Sequence, residues 1–163
     1  MTSSPFRNTV AGQGLALLVF VALSFAAATM GAFFSPGEWY QELNKPSWNP
    51  PPWIFGPVWN VLYLLMAFSA WLVWREGGLQ KQRLPLSFYG LQLCLNAVWT
   101  PVFFGGQWPA GGFVVIILLW LAIVVTILRF WPVHRWAAWL MVPYLIWVSF
   151  ASVLNAALWR LNS

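Results

Sequence analysis

Residues 39–59 read W-Y-Q-E-L-N-K-P-S-W-N-P-P-P-W-I-F-G-P-V-W, with four tryptophans, five prolines and one tyrosine set between two long apolar runs. Proline fixes φ and removes a backbone donor, and an indole left in water forfeits the burial of a large apolar ring. A connector that only crossed water would need neither in such numbers. The stretch therefore reads as a stiff, ring-bearing lid over the end of a helical bundle, and the apolar runs flanking it as the first two helices of that bundle.

Composition sets the solvent. Of 163 residues, 61% are apolar and 7% charged, against about a quarter charged in soluble domains. The chain reads as an integral membrane protein. Glu38, Glu42, Glu76 and the eight basic residues lie outside the apolar runs or at their ends, as the cost of burying charge in hydrocarbon demands. The net charge of +5 forms no dense basic patch, which argues against a nucleic-acid partner. One cysteine, Cys94, excludes an internal disulfide and a Cys-rich metal site, and its apolar neighbours predict a buried, inert thiol.

Five segments, 10–34, 55–74, 84–104, 109–130 and 136–159, are each near the ~20 residues that cross hydrocarbon. The predicted architecture is all-α, a single domain over 1–163. It is one bundle of five transmembrane helices with the long Trp/Pro-rich connector between helices 1 and 2. Arg7 followed by an apolar run and Ala26-Ala27-Ala28 resembles a signal peptide, but the run continues to Phe34 and is long enough to span.

Arg7, Arg75, Lys81, Arg83, Arg129 and Arg135 fall on one side of this topology, and only Lys45 and Arg160 on the other. In a bacterial cell membrane the positive-inside rule puts the N-terminus in the cytoplasm and the Trp-rich connector on the far face. On the first helix Gly12 and Ala16, Ala22 and Ala26, and Ala27 and Gly31 are four apart. That spacing permits close approach of a neighbouring helix, of the same chain or of a second copy in a homodimer.

Trp71, Trp74, Trp108, Trp131, Trp136, Trp139 and Trp159 lie near span ends, where an indole belongs at headgroup level whatever the protein does. Trp39, Trp48, Trp53, Trp59, Trp99 and Trp147 instead coincide with prolines and amides. Helical spacing gathers Trp59, Tyr63, Met66 and Ala70 on one face of the second helix. The same spacing gathers Gln92, Asn96, Trp99 and Phe103 on the third, and Tyr144, Trp147, Ala151 and Leu154 on the fifth. Lipid has no use for amides and phenols, so these faces are expected to point inward. For Gln92 and Asn96, spacing leaves open interhelical hydrogen bonding and ligand contact. Three such faces under a ring-rich lid describe an aromatic cavity with few polar anchors, suited to a flat apolar ligand.

No Asp or Glu lies inside a span and no Lys or Arg near a span centre, which argues against ion-coupled transport. His134 sits in a short basic connector, and no Ser/His/Asp triad, paired carboxylates or phosphate loop is present. Catalytic residues and a metal site are accordingly not expected.

Four ordered motifs carry a resemblance. They are W-Y-x-x-L-x-K-P-x-W-x-P-P from Trp39, F-G-P-V-W-x-x-L-Y-x-x-M from Phe55, Q-x-x-x-N-x-x-W-x-P-x-F-F-G from Gln92, and P-Y-L-x-W-x-x-F-A-x-x-L-N-x-x-x-W-R from Pro143. The chain resembles the TspO/MBR family of tryptophan-rich sensory and translocator proteins, also called peripheral-type benzodiazepine receptors. The resemblance implies an often dimeric five-helix bundle that binds porphyrins such as protoporphyrin IX, haem-type tetrapyrroles and synthetic benzodiazepine-site ligands. Carried over by position, Trp39 and Tyr40 belong to the lid, and Trp59, Tyr63, Asn96, Trp99, Trp147, Ala151 and Leu154 to the cavity.

It also implies a membrane receptor or carrier with a role in tetrapyrrole transport or stress signalling, requiring no cofactor, with porphyrin as the ligand, and in a eukaryotic cell a location in the mitochondrial outer membrane. Two alternatives accompany it: light-dependent porphyrin degradation using Trp59 and Trp147, and a sterol-binding or scaffold protein. The sterol pattern of animal members is incomplete, because alanines stand between Val153 and Arg160 where its tyrosine belongs, so cholesterol is a doubtful partner.

Overall fold

A computed structural model describes residues 9–34 and 36–163; Arg7, counted above for topology, lies outside them. All regular structure among the described residues is helical. Five long helices, α1 (Val10–Phe33), α3 (Phe55–Arg75), α5 (Arg83–Thr100), α6 (Pro109–Phe130) and α7 (Arg135–Leu161), are accompanied by two short ones, α2 (Glu38–Glu42) and α4 (Gly78–Lys81). The chain is thus an all-helical membrane protein.

Among the described residues four helices, α1, α6, α7 and α3 with the 3₁₀ turn Pro52–Ile54 before it, are long and apolar enough to cross a bilayer by length and composition. The third expected span is different. Its α-helix stops at Thr100, and a π-helical turn, Pro101–Gly105, continues it. Arg83, Gln92 and Asn96 make α5 the least apolar of the long helices. It still packs fully into the bundle, against α1 on one side and α6 on the other.

Neighbour contacts close a ring in the order α1, α3, α7, α6, α5 and back to α1. Toward the end that carries Arg75 and Arg135 the ring is filled. Ala67, Ala70, Ala137 and Ala138 are wholly buried, and the Ser69 hydroxyl donates to the Ala137 carbonyl at 2.7 Å. Small side chains there let α3 and α7 approach closely. Of the small-residue pairs noted on α1, Gly12 and Ala27 are buried whereas Ala22 and Ala26 are exposed.

Side-chain hydrogen bonds pin the ring further. The Trp71 indole donates to the Gln13 carbonyl at 3.1 Å, the Ser24 and Tyr89 hydroxyls meet at 2.7 Å, and the Trp120 indole donates to Ser149 Oγ at 2.8 Å. Trp108, Trp131, Trp136, Trp139 and Trp159 are exposed near helix ends, as anchors require. Two of the tryptophans assigned to interfaces depart from this: Trp74 is buried in the core, and Trp71 is half-buried and bonded to α1. Cys94 also departs from expectation. Its thiol is exposed, because the inward face of α5 is taken by Tyr89, Gln92, Leu93 and Asn96.

Candidate functional site

Toward the lid end the ring does not fill, and a cavity of about 350 Å³ remains. Each long helix contributes to its wall: Ala28 from α1, Trp59 and Tyr63 from α3, Asn96 and Trp99 from α5, Ile116 and Leu119 from α6, and Trp147 and Ala151 from α7. Its size lies at the small end of the roughly 300–1,000 Å³ typical of ligand pockets. None of the described residues that line it carries a formal charge.

The floor is a three-member hydrogen-bond chain. The Tyr63 hydroxyl donates to Asn96 Oδ1 at 2.8 Å, and Asn96 Nδ2 donates to the Tyr144 hydroxyl at 3.1 Å. Asn96 therefore ties α5 to both α3 and α7. The Trp59 ring stacks on Tyr63 at 5.5 Å and meets Tyr144 edge-on at 6.1 Å, so the floor presents an indole face above a satisfied polar layer.

A second polar layer closes the back. The Trp99 indole donates to Asn155 Oδ1 at 3.2 Å, while Asn155 Nδ2 donates to the Pro109 carbonyl at 2.8 Å. Phe103 stacks on Trp99 at 5.0 Å, and the π turn sets Phe104 against both rings. Gly112 of α6 makes this possible, since a Cβ there would stand 2.7 Å from the Phe103 ring.

The roof is built by α2. Tyr40 meets Phe103 and Phe104 edge-on at 6.3 and 5.4 Å, with the Lys45 ammonium 5.0 Å above its ring. Desolvation by burial raises the Tyr40 hydroxyl pKa above its ordinary value, so this phenol is neutral throughout the physiological range. The Trp147 indole N–H is buried without a hydrogen-bond partner, although its ring belongs to the wall. A buried donor of this kind favours a ligand that brings an acceptor.

Of the nine positions expected to form the site, Tyr40, Trp59, Tyr63, Asn96, Trp99, Trp147, Ala151 and Leu154 line this one cavity. Trp39 does not line it. It stands behind the wall, edge-on to Phe103 at 5.8 Å. Trp48 and Trp53 are exposed and do not line the cavity. Gln92 is wholly buried on the predicted face, yet neither atom of its carboxamide has a partner. His134 serves as the N-cap of α7, its Nδ1 accepting the Ala137 N–H at 3.3 Å.

Residues that spacing did not single out for the site include Asn155 and Leu158, which extend the α7 stripe by one more turn. Continuing the same period past Leu154 would have found them. Ile116, Leu119, Ala28 and Phe34 carried no such signal, being ordinary apolar residues in apolar runs.

Residues 19–160 match the TspO/MBR family. The chain is 47% identical over 147 residues to Protein CrtK of Rhodobacter capsulatus, covering 88% of this chain and 89% of that one. It is 44% identical to the tryptophan-rich sensory protein of Cereibacter sphaeroides, covering 89% and 90%. It is also 41% identical to the human translocator protein, with 82% of each chain covered. Together with the ring of helices and the tryptophan-lined cavity, these matches show that the chain belongs to the TspO/MBR family.

Proposed function

We propose that this membrane protein is a receptor or carrier that holds porphyrins, and other flat apolar ligands, in the cavity beneath α2. The observation that carries this reading is the cavity itself: uncharged, walled by indole and phenyl rings, and floored by a few oriented amide and hydroxyl groups. Such a site stacks on a planar conjugated face and orients it through few hydrogen bonds. A tetrapyrrole is larger than the cavity, so the proposed pose inserts one edge of the macrocycle and leaves the acidic propionates outside the uncharged interior.

In this reading no cofactor is required and the porphyrin is the ligand. The names of the relatives, sensory and translocator, are consistent with signalling or movement of that ligand as the outcome. The proposed orientation in a bacterial membrane has the N-terminus cytoplasmic, a reading supported by Arg75, Lys81, Arg83, Arg129 and Arg135 gathering at one end of the bundle and Lys45 and Arg160 at the other.

Titration of the purified protein with protoporphyrin IX, followed by tryptophan fluorescence, tests the reading. Saturable quenching is expected, with binding at least tenfold weaker in Trp147→Leu, the factor that about 1.4 kcal/mol of lost ring contact produces. Parent-like binding in Trp147→Leu would place the porphyrin elsewhere. Light-dependent porphyrin degradation is the second reading, favoured by Trp59 and Trp147 lining the same cavity. In it the porphyrin is oxidised by dioxygen under illumination. Bleaching of the bound porphyrin no faster than of the free pigment would remove it.

A further inference from the structure

The roof hangs from one side chain. Asn162 is the C-cap of α7, and its Oδ1 accepts the Asn44 N–H at 2.9 Å while its Nδ2 donates to the Asn44 carbonyl at 3.0 Å. The same Nδ2 donates to the Leu158 carbonyl at 2.8 Å. A single carboxamide thus reads both main-chain groups of residue 44 and also satisfies a carbonyl at the end of α7 that the helix leaves open. Among the described residues, every hydrogen bond from the connector over 36–54 to a bundle residue distant in sequence runs between Asn44 and residues 161–162. The remaining ties are ring contacts such as Tyr40 on Phe104 and Trp48 on Phe150, which have no fixed direction.

From residue 44 the linkage reaches the cavity in two steps. Lys45 Nζ donates to the Gln41 and Leu43 carbonyls at 2.8 and 3.1 Å, closing the end of α2, and its ammonium sits over the Tyr40 ring. Tyr40 lines the cavity, as do Leu154, Asn155 and Leu158 on the last turns of α7 before Asn162. Roof and wall are therefore clamped at one point. Both asparagines are exposed, so water can replace each bond and the clamp opens without unfolding the bundle.

The geometry points to Asn162 as a positioning residue that latches α2 over the cavity and sets the rate at which the site opens. Asn162 is not itself among the residues that line the cavity. It acts by holding the main chain of residue 44, whereas the Asn44 side chain adds only a longer bond from its Nδ2 to the Leu161 carbonyl at 3.5 Å, so the latch depends on Asn162 more than on the side chain of Asn44. This assignment deepens the proposed binding function, and its first test uses no ligand.

In a Cys94→Ser background, Ala151→Cys places a thiol in the cavity wall whose labelling by a water-soluble maleimide reports opening in detergent micelles. Asn162→Ala is expected to accelerate labelling roughly tenfold, and Asn44→Ala less than about twofold. Should Asn162→Ala fray α7, Asn162→Gly, a residue suited to helix C-termini, carries the same test. Labelling at the parent rate in the Asn162 variants would overturn the latch, and so would equal acceleration by Asn44→Ala. With protoporphyrin IX in stopped flow, Asn162→Ala is expected to speed both association and release. If the parent binds no porphyrin, the proposed ligand fails while the labelling result still decides the latch.

Discussion

Asn96 and Gln92 stand one turn apart on the same face of α5, both buried, and differ in what meets them. Asn96 lies between the hydroxyls of Tyr63 and Tyr144, whereas the Gln92 carboxamide meets no partner. Opposite stability effects follow. Asn96→Ala strips bonds from two buried hydroxyls and is expected to destabilise the protein by about 1–3 kcal/mol. Gln92→Met removes an uncompensated amide at similar volume and is expected to be neutral or stabilising by about 1 kcal/mol. Thermal unfolding of both variants in the same detergent checks the pair, and a loss in Gln92→Met comparable to that in Asn96→Ala would refute the distinction. Sequence could not separate them, because periodicity gives the face a residue occupies but not the register of the opposing helices, which decides whether a hydroxyl arrives opposite. The same limit explains Trp39. The motif puts it beside Tyr40, and only the seating of α2 on Phe103 decides which ring faces the cavity.

At the scale of elements, the long helices were legible because hydrophobic length and polar punctuation are properties of the chain alone. Two local structures that shape the site were not. The π turn at Pro101–Gly105 closes with the Gly106 N–H donating to the Pro101 carbonyl at 2.8 Å, five residues back, and it seats consecutive phenylalanines against Trp99. Pro101 supplies no N–H for the preceding α-helical ladder, and a π turn inside a helix is a recurrent feature of functional sites. Pro101→Ala restores that donor, so the turn is expected to relax toward α-helix, rotate Phe103 and Phe104, and weaken porphyrin binding about tenfold. Unchanged affinity, measured by fluorescence titration, would mean that the π turn does not shape the site.

The short helix α2 carries a pH dependence with a defined sign. Burial raises the Tyr40 pKa above its value in the unfolded chain. The closed roof therefore favours the neutral phenol: its contribution is fully present below about pH 10 and is lost as pH rises through the folded-state value. Ligand release is expected to accelerate above about pH 10, and Tyr40→Phe, which cannot ionise, to flatten that rise. An identical alkaline profile in Tyr40→Phe would assign the effect to other groups.

The whole molecule joins a filled half to a hollow half, and the division follows side-chain size. Where α3 and α7 carry buried alanines the ring is filled; where they carry Trp59 and Trp147, those rings line the cavity. Composition revealed the membrane and the motifs revealed most of the cavity wall. The closed order of the ring, with α3 beside α7 and α5 beside α1, depends on long-range packing that no local pattern encodes.

A cavity of about 350 Å³ maintained inside a helical ring forgoes packing that a larger side chain would recover. Ala151 is the position at which to recover it, since it lies on the wall and is only partly buried. A phenyl ring placed there adds burial worth about 1.5–3 kcal/mol when fully realised, offset by the strain of fitting it among existing rings. Ala151→Phe is accordingly expected to raise unliganded stability by about 1 kcal/mol. It should also abolish the stabilisation by porphyrin that the proposed function predicts for the parent, about 2.7 kcal/mol at a hundredfold excess over Kd. Thermal unfolding of both proteins with and without protoporphyrin IX reads the two effects in one experiment. A variant that is more stable but blind to ligand would show that the hollow half is kept open for binding, at a cost in stability that the fold can bear. A variant still stabilised as strongly as the parent would mean that the porphyrin occupies some other surface.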